Sequence, residues 1–107
     1  MSSPFPPPKQ TSGKIILLAQ ATAKPGKADE VETLLKACRA AAENDEKDTL
    51  TYRTTRGVEG DSDKFAVWEE YVLPNGLTDH VANKPFQALA AADLLTSLDI
   101  QYFNEFQ

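Results

Sequence analysis

His80 is the only histidine in this chain of 107 residues, and the segment that carries it concentrates most of the side chains able to do acid–base or binding chemistry. Lys64 to Phe86 reads KFAVWEEYVLPNGLTDHVANKPF. A histidine titrates near neutral pH, so His80 is the candidate proton acceptor. Leu77, His80 and Val81 are spaced i, i+3, i+4, which puts them on the inward face of one helix. Two readings of His80 stand: a core residue with one hydrogen-bonded nitrogen, or a catalytic base. Just upstream, the alternation of a strand sends Phe65, Val67, Glu69 and Tyr71 to one face and Ala66, Trp68, Glu70 and Val72 to the other. Trp68 and Tyr71 therefore cannot line one pocket together. Adjacent Glu69 and Glu70 place a carboxylate on each face, and a carboxylate near a buried face requires hydrogen bonds or a cation. Arg53 and Arg56 on the neighbouring strand are the expected ion-pair partners.

Other chemistries lack their residues. Cys38 falls on the apolar stripe of a helix, where a thiol is packing. One His and one Cys cannot make a standard tetrahedral zinc site, so no metal is expected. No glycine-rich phosphate loop follows the first strand, and no nucleophile elbow is present, so no nucleotide cofactor or serine chemistry is expected. The remaining set of aromatics and one histidine suits a flat, apolar organic molecule.

The elements that must position these residues follow from periodicity. Residues 1–13, MSSPFPPPKQTSG, are a proline-rich tail expected to be disordered, with Phe5 able to wrap a neighbouring subunit as the alternative. Residues 14–107 form one domain. Lys14–Ala23 is a strand apolar on both sides at Ile15 to Ala19. Pro25-Gly26 opens a helix with Val31, Leu34, Leu35, Cys38 and Ala42 at helical spacing, ending near Asn44; Glu32 and Lys36 can pair one turn apart. Strands at Thr49–Gly57 and Phe65–Val72 form a hairpin. A short helix runs to Ala82, a second begins near Phe86, and Leu98–Phe106 closes the sheet with Ile100, Tyr102 and Phe106 on one face. The order β-α-β-β-α-β predicts an α+β, ferredoxin-like antiparallel sheet with helices on one face. Apolar residues on both faces of the first strand predict that a twin subunit covers the other face, giving a homodimer.

Composition narrows the partners. A net charge of −5, with no cluster of Lys and Arg, argues against nucleic acid and anionic membranes. No apolar run approaches the roughly 20 residues of a membrane span, and the N-terminal residues lack the apolar core of a secretory signal. A single cysteine fits a reducing compartment, so a cytoplasmic location is expected.

PGKADEVETLL, FAVWEEY and LTDHVANKPFQAL together resemble the antibiotic biosynthesis monooxygenase family, within the dimeric α/β-barrel superfamily, over about residues 14–106. Trp68, Glu69, Tyr71, Leu77 and His80 carry its pattern of an aromatic, a Glu, an aromatic two residues on and a Leu-x-x-His turn. The resemblance implies a dimeric α/β barrel with a pocket between sheet and helices. It also implies cofactor-independent oxygenation of a polyketide-, anthrone- or quinol-like aromatic, with dioxygen as co-substrate. His80 would be the catalytic base, and Trp68, Tyr71, Tyr52, Arg53 and Asn83 the candidate substrate-binding residues. A non-oxidative isomerase or cyclase using the same pocket, or a dimeric small-molecule-binding protein, are the alternatives. Pro85 stands where many relatives carry a second histidine, so a two-histidine mechanism does not carry over. Haem-degrading relatives use an Asn on the first strand and a Trp and a His on the later helices, and those positions fall here at Ala19, His80 and Ala90, which argues against haem breakdown.

Overall fold

Seven elements make up the described residues, with glycine or proline at several of their junctions. The computed structural model describes residues 6–107. They are β1 (Gly13–Ala23), α1 (Ala28–Asp45), β2 (Thr49–Arg56), β3 (Lys64–Leu73), α2 (Asn75–Ala82), α3 (Lys84–Ala91) and β4 (Leu95–Phe103). The four strands form one antiparallel sheet in the order β2-β3-β1-β4, so the ferredoxin-like α+β fold expected from the sequence is the fold found. Gly26, at φ +77°, turns the chain from β1 into α1 in a conformation that favours glycine. Of the proline-rich tail, residues 1–5 with Phe5 lie outside the described residues. Residues 6–12 precede β1, and the Tyr102 hydroxyl donates to the Pro6 carbonyl at 2.6 Å.

The helices share one face of the sheet. Leu17, Val67, Phe65 and Tyr71 from that face pack with Val31, Leu35 and Cys38 of α1 and Phe86 of α3. The stripe predicted for α1 is the one buried, with Leu34 at its margin, and Lys36 reaches Glu32 at 3.5 Å. The other face of the sheet carries Ile16, Leu18, Trp68 and Phe103, brought together by the register Leu18↔Trp68 and Ile16↔Phe103. Among the described residues, no helix is long and apolar enough to cross a membrane.

Two expectations need correction. The closing strand runs from Leu95 to Phe103, not from Leu98 to Phe106, and Phe106 is 93% exposed beyond its end. As an edge strand, β4 needs only β1 as a partner, so pairing begins directly after Leu94 despite the polar Thr96 and Ser97. The expected pairing of Glu69 and Glu70 with arginines does not form either. Arg56 reaches Asp29 at 2.9 Å and Glu32 at 3.1 Å on α1, while Arg53 is exposed opposite Trp68. Glu70 accepts from the Trp68 indole N–H at 3.0 Å. Arg56 stands opposite Phe65, four residues along β3 from Glu69, and Glu69 finds other partners inside.

Candidate active site

The segment between β3 and α2 is short, and Gly76 makes it fit. A Cβ at this position would lie 2.6 Å from the Asp48 carbonyl and 2.9 Å from the Tyr71 Cβ, so only glycine lets α2 approach β3 this closely. The approach drives His80 into the core, where it is fully buried. Its ring lies 5.0 Å from Tyr52, 5.7 Å from Tyr71 and 5.0 Å from Phe86, centroid to centroid.

Two buried carboxylates flank that ring. His80 Nδ1 lies 3.2 Å from both oxygens of Glu46, just past the end of α1. Its Nε2 faces Glu69 Oε1 at 3.8 Å. Glu46 also accepts from Thr49 Oγ1 at 2.7 Å and from the Asn83 amide. Asn83 in turn caps α3, its Oδ1 accepting from the Phe86 amide at 2.8 Å, with Pro85 in the first turn. The Asn83–Pro85 interruption is thus the start of α3, and it ties that start to Glu46. On the other side, the Tyr71 hydroxyl donates to Glu69 Oε1. The sequence residues His80, Tyr71 and Asn83 therefore meet in one buried network with Glu46 and Glu69.

Burial and charge act in opposite senses on the two carboxyls. Burial would raise Glu46, but hydrogen bonds from His80, Thr49 and Asn83 outweigh it and hold Glu46 below the ordinary carboxylate range. Burial pushes Glu69 up to about 7, with the Glu46 charge adding to the rise and the His80 charge and Tyr71 hydrogen bond opposing it. Burial and the nearby carboxylates raise the Tyr52 and Tyr71 phenols well above their usual value. Burial likewise pushes the Cys38 thiol up to about 12, which agrees with its reading as packing.

Glu69 also borders a cavity of about 330 Å³ between the sheet, α1, α3 and the start of β4. Its walls include Ala19 and Val67 of the sheet, Leu35 of α1, Phe86 of α3 and the Tyr52 ring. His80 does not line it but lies behind the wall, its ring facing Glu69, Tyr52 and Phe86, which do. Of the candidates from the sequence, Tyr52 lines the cavity, Tyr71 holds Glu69 and Asn83 holds Glu46. Trp68 and Arg53 lie on the opposite face of the sheet. Sequence reasoning missed Glu46, whose setting in NDEKDT reads as a polar turn. It noted Glu69 in the motif without giving it a proton. Among the described residues, no group of three His, Cys, Asp or Glu side chains could hold a metal ion.

Comparison with family models and with curated proteins gives no match. Solved structures do match. PA3566 from Pseudomonas aeruginosa is 25% identical, with a TM-score of 0.80 over 92% of this chain and 99% of that one. A candidate antibiotic biosynthesis monooxygenase from Caulobacter crescentus is 24% identical, with a TM-score of 0.77 over 90% of this chain and 92% of that one. Another, from Bacteroides thetaiotaomicron, is 14% identical, with a TM-score of 0.79 over 88% and 90%. The class defined by these likenesses is the ferredoxin-like α+β fold of antibiotic biosynthesis monooxygenase-type proteins. The neighbours that carry this name share the fold with this chain.

Proposed function

We propose that this chain is a cofactor-independent monooxygenase of the antibiotic biosynthesis monooxygenase family, acting on a polyketide-, anthrone- or quinol-like aromatic. The observation that carries the reading is Glu69: a buried carboxyl on the wall of an otherwise largely apolar cavity, held by Tyr71, backed by His80 and titrating at about 7. A base poised near neutrality is suited to removing a proton from an activated CH or OH group. Glu69 takes the proton, and His80, fixed by Glu46, positions Glu69. The charge moves from Glu69 to the substrate without a change in the total charge of the site. The substrate anion then reduces dioxygen. For an anthrone-type methylene, one oxygen atom stays as the new carbonyl and the other leaves as water with the two hydrogens, so the substrate supplies all the electrons.

Oxygen uptake with a panel of anthrones and quinols tests this. Wild type and Cys38→Ala should consume oxygen, whereas Glu69→Gln should be slower by at least about 100-fold, the usual contribution of a general base. A panel without uptake, or full uptake by Glu69→Gln, overturns the assignment. The same carboxyl, returning the proton elsewhere on the substrate, would catalyse an isomerisation; turnover under argon would mark that outcome. The domain of residues 14–107 is proposed to work as a homodimer, with the apolar strip of Ile16, Leu18, Trp68 and Phe103 as the contact. Trp68 is 39% and Phe103 44% exposed on this otherwise partly buried face, which supports that role. Trp68 thus belongs to the interface in this reading, while Tyr52 meets the substrate.

A further inference from the structure

The cavity pairs an apolar wall with a buried acidic cluster. Glu46, His80 and Glu69 together hold two carboxyls and one imidazole. Glu46 is held ionised, and once Glu69 has released its proton two carboxylates face a single imidazole, so the cluster is net negative. Tyr71 and Tyr52 facing Glu69 are phenols and add no positive charge, and neither does Tyr102 on β4 or Cys38 on α1. The remaining acid on the wall, Asp93 at the rim, is met by Lys24 at 3.0 Å. No Lys, Arg or His lines the cavity among the described residues. An anion entering would be stripped of water and set against this field with no Lys or Arg on the wall to receive it.

We infer that the cavity selects by charge: it accepts uncharged aromatic molecules and rejects the same skeleton bearing a carboxylate or sulfonate. The inference rests on the reading of this cavity as the substrate site, and it names the substrate class more narrowly. The substrate arrives neutral and becomes an anion only through transfer of its proton to Glu69. An aromatic-acid precursor would have to lose or mask its carboxylate first, in a decarboxylating or esterifying reaction.

Two dyes with one skeleton provide the test. N-Phenyl-1-naphthylamine is neutral, and 8-anilino-1-naphthalenesulfonate adds a fixed negative charge. Their fluorescence with the full chain at pH 8 gives both affinities without oxygen or turnover, so the result is independent of whether the protein is an oxygenase. The neutral dye should bind at least about 30-fold more tightly, the effect of one unit charge at several ångströms in a partly screened interior. Ala19→Phe, which fills the cavity, should abolish neutral-dye binding while leaving the far-UV circular dichroism unchanged. Glu69→Gln removes one negative charge and should cut the preference about tenfold. Where that variant fails to fold, the wild type between pH 6 and 8 supplies the same comparison: Glu69 loses its proton, and the preference should grow. Equal affinity for the two dyes, no binding of either, binding that survives Ala19→Phe, or a preference indifferent to both Glu69→Gln and pH would each overturn the inference.

Discussion

Glu69 shows how one side chain couples stability to function. Unfolded, its carboxyl ionises at the ordinary value of 4.5; folded, it ionises at about 7. Between those values the native state keeps a proton that the unfolded state has lost, so the stability held below 4.5 declines as pH rises through 7. The decline is at most about 3 kcal/mol. Urea unfolding of wild type from pH 5 to pH 8 should show this loss, and Glu69→Gln should flatten it. A wild type as stable at pH 8 as at pH 5, relative to Glu69→Gln, would contradict the buried, proton-holding carboxyl. Glu46 has the opposite sign. Its lowered value contributes stability above the ordinary carboxylate range that is lost as pH falls through the folded value, so Glu46→Gln should remove part of the acid limb of the curve. Burial of Glu69 was partly legible in the sequence, because strand alternation placed it with Phe65, Val67 and Tyr71. Its partner was not. Arg56 has the right charge and the right face, but its guanidinium goes to Asp29 and Glu32, and only the packing of α2 against β3 brings His80 to Glu69 instead.

At the scale of elements, α2 is the positioning device. It is only eight residues long, and an isolated helix of that length does not hold in water, so its place depends on tertiary contacts. Gly76 permits those contacts. Gly76→Ala should destabilise the fold by about 1–3 kcal/mol, because the new methyl meets the Asp48 carbonyl and Tyr71 and these cannot retreat freely. The displaced α2 would move His80 away from Glu69, so the variant should also shift the pH profile of activity. An unchanged melting temperature would show that α2 is less closely packed than the geometry requires. The junction at Asn83 is a second such point. Loss of its cap in Asn83→Ala should cost about 1 kcal/mol and release Glu46 on one side. Proline and glycine made the boundaries of α2 and α3 readable from sequence, whereas β4 was displaced by three residues because an edge strand tolerates polar residues that mask its start.

For the whole molecule, the surface that matters is the face of the sheet away from the helices. Ile16, Leu18, Trp68 and Phe103 form an apolar strip there, flanked by Arg53 and Glu70. A second copy of the sheet would cover it and complete the proposed dimeric barrel. Sedimentation at micromolar concentration should then give twice the 11.7 kDa chain mass, and Trp68→Glu should bring the mass down to the monomer. A monomeric wild type would exclude the face-to-face arrangement. The cavity and its acid network lie on the other side of the sheet, so the helical side of each chain should retain its dye binding in a monomeric variant.

The sequence by itself determined the element order, the faces of β3, the inward turn of His80 and the packing role of Cys38. Each of these follows from local period or from a backbone constraint at glycine or proline. Only the tertiary structure decided which of the inward residues reaches the cavity. Leu77, His80 and Val81 share a helix face, and Glu69 and Tyr71 share a strand face, but periodicity does not state which face stands nearer to an empty space. The close approach at Gly76 sets His80 behind Glu69, and the end of α1 supplies Glu46 from 34 residues away in the chain. Burial then brings Glu69 to about 7, a value that depends on the low polarity and charges around it and that no local pattern encodes.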